Sequence, residues 1–242
     1  MENTGYIALS RQMTLRRQMD VIANNMANMN TPAYKGQSML FVEYLETSDS
    51  GEKMSFVQDV ALVRNLAEGQ MTSTTNQLDV AISGDGYFEI DTPTGPRYTR
   101  NGVFQLNADG ELVTSSGERV LGDGGNAITL PPNSSDITIT RDGTVSTDQG
   151  PAGRLRLVRF DNEQALVKLA NGLYDAEGQD ALPAEDAEVM QGMVEGSNVQ
   201  GIIELTRMIE TVRQYSSAGK MVNDEHERQR RAIQSLGGSA QA

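Results

Sequence analysis

The chain contains no cysteine and no tryptophan, and only one histidine, His226. Without cysteine there is no disulfide framework, no thiolate metal site and no cysteine nucleophile. One histidine leaves the common acid–base and nucleophilic machinery with few candidates. His226 and Glu227 open a zincin-like pattern, but Arg230 stands where the second metal-binding histidine belongs. His226 is therefore expected as an exposed helix residue. Positive charge is short as well: 20 Lys and Arg against 33 Asp and Glu leave a net charge of −13, which argues against nucleic acid as a partner. No apolar run reaches the roughly 18 residues of a membrane span, so no membrane insertion is expected. Met1 to Gly5 supply neither a basic n-region nor an apolar h-region, so the start does not read as a cleaved signal peptide. On these grounds alone the expected compartment is the cytoplasm.

What is present is organised around two apolar stripes at opposite ends. Ile202, Leu205, Ile209 and Val212 alternate three and four apart, the a/d spacing of a helix that meets another helix. Ser216 and Gly219 continue that register as small residues. Ser197 or Asn198 can cap the start, and Gly237 and Gly238 the end. The spacing predicts a helix over about 198–236, roughly 55–60 Å long. Near the N-terminus Leu15, Met19, Ile22, Met26 and Met29 repeat the pattern. That helix ends at Asn30-Thr31-Pro32, because proline disfavours the α conformation in the residue before it. Two seamed helices at opposite termini predict a terminal coiled coil; two surface helices on one core are the plainer alternative. The chain has 12 methionines, which suit either contacts with non-identical neighbours or ordinary core filling.

Between the helices the texture changes twice. Residues 36–72 read as an extended arm or hairpin, with a turn at 47–53. From Leu78 onward short apolar segments alternate with Asx-Gly and similar turns, such as Asn101-Gly102, Asp109-Gly110 and Asp142-Gly143. That spacing predicts an antiparallel β domain. Asn107 to Gly110 resemble part of an EF-hand loop, but the ligand positions fail and the flanks read as strands, so a β-turn is expected. Asp85 and Glu89 are the one acid pair singled out as possible glycosidase carboxylates; among 33 acids, solvated surface charge is the plainer reading. A secreted glycan-binding or glycan-cleaving β domain is the rival reading from a different class.

Three stretches resemble the flagellar basal-body rod and hook proteins. The first is the run from Ile22 to Lys35, with Asn24, Asn25, Ala27, Asn28, Asn30 and Thr31 in an Asn-Asn-x-Ala-Asn-x-Asn-Thr core followed by Tyr34 and Lys35. The second comprises Leu78 to Phe88, Tyr98 to Phe104 and Asp109 to Val113, similar to the shared β domain. The third runs from Glu195 to Tyr215, similar to the C-terminal helix. The family often has glycine where Ala33 stands. The resemblance implies a non-enzymatic subunit of a helical tubular assembly, with no catalytic residue, cofactor or metal. It implies contacts with copies of itself and with other rod proteins. It further implies export through the flagellar type III apparatus without signal cleavage, then assembly in the periplasm, which replaces the cytoplasmic expectation. The asparagines then serve either inter-subunit bonds and a polar channel lining, or helix-end and turn chemistry.

The expected fold class is α+β, with long N- and C-terminal helices paired as a coiled coil and a central, mostly antiparallel β domain. The expected domains are 1–35, an N-terminal rod helix; 36–72, an arm; 73–195, the β domain; and 196–242, a C-terminal rod helix. The expected subunit interface is the two stripes: Leu15, Met19, Ile22, Met26 and Met29, and Ile202, Leu205, Ile209 and Val212.

Overall fold

Neighbouring side chains on a strand point to opposite faces, and Tyr87 and Phe88 each enter a different core. Phe88 joins Val80, Ile82, Ile90, Phe104, Leu112, Val120 and Leu155 in the larger one. Its ring meets that of Phe104 edge-on at 5.1 Å. Tyr87 joins Tyr98, Val158, Phe160, Leu166 and Tyr174 in the smaller one. Their strand, residues 87–92, is flanked by strands 95–99 and 119–120 and also pairs with 157–159. Its first four residues are buried on both faces; Tyr87, Phe88 and Ile90 are apolar, and the buried Glu89 between them is paired with Arg156.

The computed structural model describes residues 2–47, 53–132, 134 and 136–238. They divide into two compact units. The β unit comprises 28–35 and 66–199. Every strand pair in it is antiparallel. Its main sheet runs in the order 167–168, 173–175, 95–99, 87–92, 119–120, 112–114, 104–106. A three-stranded sheet is built from 138–139, 144–147 and 150–154. Strand 188–191 pairs with 80–83, and 193–195 with 71–73. Leu182–Pro183 form a short strand, and after the acidic turn at Glu185 and Asp186 Glu188 opens another. The Asn107–Gly110 segment is a β-turn closed by the Gly110 N–H on the Asn107 carbonyl at 3.1 Å. The Asn107 carboxamide oxygen accepts from the Asp109 and Glu111 amides.

The second unit comprises the described residues of 1–27, 36–65 and 200–242. It holds helix α1 (Glu2–Ala27), strands β1 (Gln37–Thr47) and β2 (Lys53–Arg64), and helix α2 (Gly201–Gly238). β1 and β2 form an antiparallel hairpin from Gln37 opposite Arg64 to Thr47 opposite Lys53, with a bulge at Leu40/Phe41. The interior of the expected turn, 48–52, lies outside the described residues. An isolated two-stranded hairpin is marginal in water; α1 packs against both strands and against α2. α2 has 38 residues, about 57 Å at 1.5 Å per residue.

Three expectations are corrected. α1 stops at Ala27, because Asn28 and Thr31 form a turn in which the Thr31 N–H and hydroxyl both bond Asn28. α2 starts at Gly201, with the Gln200 carbonyl accepting from the Ile203 and Glu204 amides. The anticipated caps are used earlier: Ser197 Oγ accepts from the Val199 amide, and the Asn198 carboxamide donates to the Ala67 carbonyl at 2.7 Å. The expected boundaries at 35/36 and 72/73 also move. Residues 28–35 and 66–72 belong with the β unit, because an ion cluster buried there draws a residue from each.

Candidate assembly site

That cluster is centred on Glu195, in strand 193–195. One carboxylate oxygen, Oε1, accepts from Lys35 Nζ at 2.7 Å and from the Gly69 amide at 2.9 Å. The other, Oε2, pairs with Arg100 Nε at 2.6 Å. Arg100 also reaches Glu68 at 3.0 Å and the carbonyls of Ile82 and Gly86. Lys35 donates further to the Ala67 carbonyl at 2.9 Å. Two cations face two anions, so four segments distant in sequence meet at a neutral node. Burial lowers the pKa of the Lys35 ammonium despite Glu195 beside it. Burial alone would raise the Glu195 carboxyl, but Arg100, Lys35 and the Gly69 amide together hold it below the usual carboxylate range. Burial alone would lower the Arg100 guanidinium, but the charge and hydrogen bond of Glu195, with the charge of Glu68, together raise it.

The backbone around the node is equally constrained. Ala33 N–H donates to the Glu195 carbonyl at 2.8 Å, and Asn198 N–H to the Tyr34 carbonyl at 3.2 Å. Lys168 Nζ lies 3.6 Å from the centre of the Tyr34 ring, a cation–π contact. Ala33 adopts φ +54°, the left-handed region that a Cβ disfavours and glycine enters freely. Gly69 tolerates no side chain: a Cβ there would lie 1.9 Å from the Gly196 carbonyl oxygen.

In the helical unit the signature asparagines divide by role. Asn25 is buried and bonds both backbone polar groups of Gln37 and the carboxylate of Glu204. Asn24 is exposed on α1, as is Ala27 at its end, and Asn30 is exposed in the turn that follows. Of the N-terminal stripe, Leu15 and Ile22 are buried, Met19 and Met26 are half-buried, and Met29 lies beyond the helix and is exposed.

The C-terminal stripe does not face α1. The buried positions of α2 are Glu204, Thr211, Ala218 and Glu225, seven apart, with half-buried Met208, Tyr215 and Val222 between them. Ile202 is 84% exposed, Leu205 49%, Ile209 47% and Val212 46%. At about 100° per residue, Ile202 and Ile209 lie about 200° round the helix from Glu204 and Thr211, and Leu205 and Val212 about 100°, so the aliphatic stripe is turned away from the packed side. The expected register of the seam is therefore corrected. Small and polar side chains, not large aliphatic ones, make the close approach to α1: a Cβ on Gly219 would come within 3.3 Å of Gln12 Nε2. The heptad of Glu204, Thr211, Ala218 and Glu225 holds no large apolar residue, and the interleaved repeat of Met208, Tyr215 and Val222 is the sequence signal for this face that the more strongly apolar stripe masked.

The acid pair is not a catalytic arrangement. Glu89 is buried and pairs with Arg156 at 2.9 Å, whereas Asp85 is exposed in the preceding turn. His226 is exposed on α2. Among the described residues no helix is long and apolar enough to cross a membrane.

Comparison with known proteins matches the same three stretches. Residues 6–35 match the model of the flagella basal body rod protein family, 81–147 that of the flagellar hook protein FlgE/F/G D1 domain, and 190–235 that of the flagellar basal body rod FlgEFG protein C-terminal region. The flagellar basal-body rod protein FlgF of Caulobacter vibrioides is 41% identical over 242 residues, covering 98% of this chain and 99% of that relative. The chain belongs to the flagellar basal-body rod protein family. The FlgF of Mesorhizobium japonicum is 34% identical, covering 98% and 99%. The basal-body rod protein FlgG of Buchnera aphidicola from Schizaphis graminum is also 34% identical, but covers 85% and 88%. The chain is thus a FlgF-like rod protein: a structural subunit of the flagellar basal body that assembles with other rod proteins, and not an enzyme. In this family member the rod signature spans both units: Asn25 serves the helical one, and Ala33, Tyr34 and Lys35 serve the β one.

Proposed function

We propose that this chain is a proximal-rod subunit whose α2 stripe of Ile202, Leu205, Ile209 and Val212 packs on helices of neighbouring subunits. Those neighbours are copies of itself and other rod proteins, including the distal rod protein. One observation carries the reading: four aliphatic side chains at a/d spacing are exposed on a helix that already packs on α1 with a different set of residues. Exposed apolar surface of this kind marks an interaction site. Heterologous contacts that do not close generate helical assemblies, and such an assembly makes the subunit part of the drive shaft. On α1, Leu15 and Ile22 are largely used within the subunit, while Met19, Met26 and Met29 keep exposed area for the N-terminal part of the interface.

Delivery is through the flagellar type III export apparatus, without signal cleavage, and assembly takes place in the periplasm. Two features support this route. A cysteine-free chain cannot be locked by disulfides before transit, and isolated helices owe most of their stability to packing, so the ends can order on docking.

The test exchanges one residue on the stripe and one beside it. Ile209→Asp places an unpaired charge in the proposed interface and is expected to abolish incorporation into basal bodies and motility. Glu210→Lys, one position round the helix and also exposed, is expected to be tolerated. The Ile209→Asp protein should accumulate outside the cytoplasm, unassembled. Swimming cells whose rods contain Ile209→Asp would refute the interface; retention in the cytoplasm would refute the separation of export from assembly.

A further inference from the structure

We propose that Asn25 sets the register of the α1–α2 pair. The packed faces of both helices repeat every seven residues: Ala8, Leu15 and Ile22 are buried on α1, and Glu204, Thr211, Ala218 and Glu225 on α2. A slip of one heptad keeps the packed positions of the two helices in phase, so the spacing does not separate the registers and the identities of the side chains at those positions must. Two contacts define the native one. Asn25 Nδ2 lies 3.3 Å from Glu204 Oε2, and Gln12 meets Gly219 toward the other end of α1.

Asn25 is the one buried polar side chain among the described residues of α1. Its carboxamide does what neither a carboxylate nor an aliphatic side chain can. Oδ1 accepts from the Gln37 amide at 2.9 Å, and Nδ2 donates to the Gln37 carbonyl at 2.7 Å, as a neighbouring strand would. Nδ2 also donates to Glu204, whose other oxygen is held by Arg207 at 2.6 Å. One amide thereby fixes the start of β1, the end of α1 and the first turn of α2. A slip that brings Thr211 opposite Asn25 removes the carboxylate and brings His226 opposite Gln12. The reverse slip brings Glu204 opposite Gln18 and Val212 opposite Gln12. Either leaves buried polar groups without these partners, a cost that falls on the wrong registers alone. A single buried polar residue fixes register in coiled coils by the same logic.

For assembly the consequence rests on the proposed interface: one heptad of slip moves the outward stripe by about 10 Å along α1, out of line with its neighbours. The register itself can be tested in the purified full chain. Because the protein has no cysteine, engineered pairs report register directly. Gln12→Cys with Gly219→Cys reads the native register, and Gln12→Cys with His226→Cys or with Val212→Cys reads the two slipped ones. Under mild oxidation of dilute protein, the native pair is expected to form the intramolecular disulfide and the slipped pairs almost none. Adding Asn25→Leu is expected to raise at least one slipped pair to within about threefold of the native pair, while helical circular dichroism persists. Adding Glu204→Gln, which keeps an acceptor, is expected to leave the native pattern. If Asn25→Leu removes all three cross-links, Glu204→Leu is read in its place, with the same redistribution expected. The native pair still alone in whichever of these keeps the helices paired, or loss of every cross-link in both, overturns the proposal. Neither result depends on whether rods assemble.

Discussion

Lys35 and Glu195 are 160 positions apart in the chain, yet Nζ and Oε1 stand 2.7 Å apart, with side chains 4% and 1% exposed. Breaking a buried pair from one side leaves the other charge uncompensated, at a cost of about 3–5 kcal/mol. Glu195→Gln leaves two buried cations, Lys35 and Arg100, with only the partly exposed Glu68 nearby. We expect it to lower the stability of the β unit by that amount in urea unfolding followed by tyrosine signals. Lys35→Met leaves Glu195 paired with Arg100 and should cost less. A loss below about 1 kcal/mol for Glu195→Gln would mean that the node relaxes or admits water.

The same node sets the acid limit. Glu195 has a folded pKa below its unfolded value of about 4.3. Its contribution is therefore fully present at neutral pH and is lost as pH falls through the folded value. Stability should fall below about pH 4, and in Glu195→Gln that limb should be shallower. Lys35 acts at the other end. Its folded pKa is lowered, so the unfolded chain holds that proton more tightly and stability should rise as pH climbs toward the ordinary lysine value of about 10.4. Lys35→Met should remove that rise. Acid curves that superimpose for Glu195→Gln and the unchanged chain would refute the assignment.

The two faces of α2 should respond in opposite ways in the monomer. Ala218 lies on the packed face, beside the close approach at Gly219. Ala218→Leu overfills it, and overpacking costs about 1–3 kcal/mol. Ile209→Ser changes a half-exposed position and should stay within about 0.5 kcal/mol. Helical circular dichroism melts of the monomer decide it: a larger loss for Ile209→Ser would mean that the outward stripe is packed within the subunit after all.

Charge is distributed unevenly. Residues 28–35 and 66–199 carry 21 Asp and Glu against 9 Lys and Arg, which is −12 of the chain's −13. Copies joined through the proposed stripe would approach against repulsion between their acidic β units. Exposed charges are screened over about 10 Å at 0.1 M salt and about 3 Å at 1 M. Self-association measured by sedimentation should strengthen with sodium chloride, and Ile209→Asp should abolish the effect. Association that weakens with salt would point to ion pairs as the attraction.

Much of the β unit is legible without coordinates. Strands at 80–83, 87–92 and 104–106 coincide with apolar runs, and Asn107–Gly110 with a turn, because strand period and turn chemistry are local properties. Strands 119–120, 150–154 and 193–195 were not anticipated. Each is short and rich in Gly, Pro, charge or Met, and is held by its partner strand rather than by its own pattern. The node around Glu195 was equally hidden: Lys35, Glu68, Arg100 and Glu195 look like four surface charges until the chain folds back.

The sequence by itself determined that two long helices lie at the ends, that a turn-rich antiparallel domain lies between them, and that α2 carries an aliphatic stripe in need of cover. These follow from periodicity, which the chain carries locally. Only the tertiary structure decided which side of α2 meets α1. Large aliphatic side chains advertise burial but do not say against whom, and the intramolecular contact is made by Thr211, Ala218 and Gly219, whose value lies in being small enough for close approach. Tertiary structure also decided where the units divide. Lys35 must find a carboxylate to be buried at all, and the carboxylate it finds is 160 residues away.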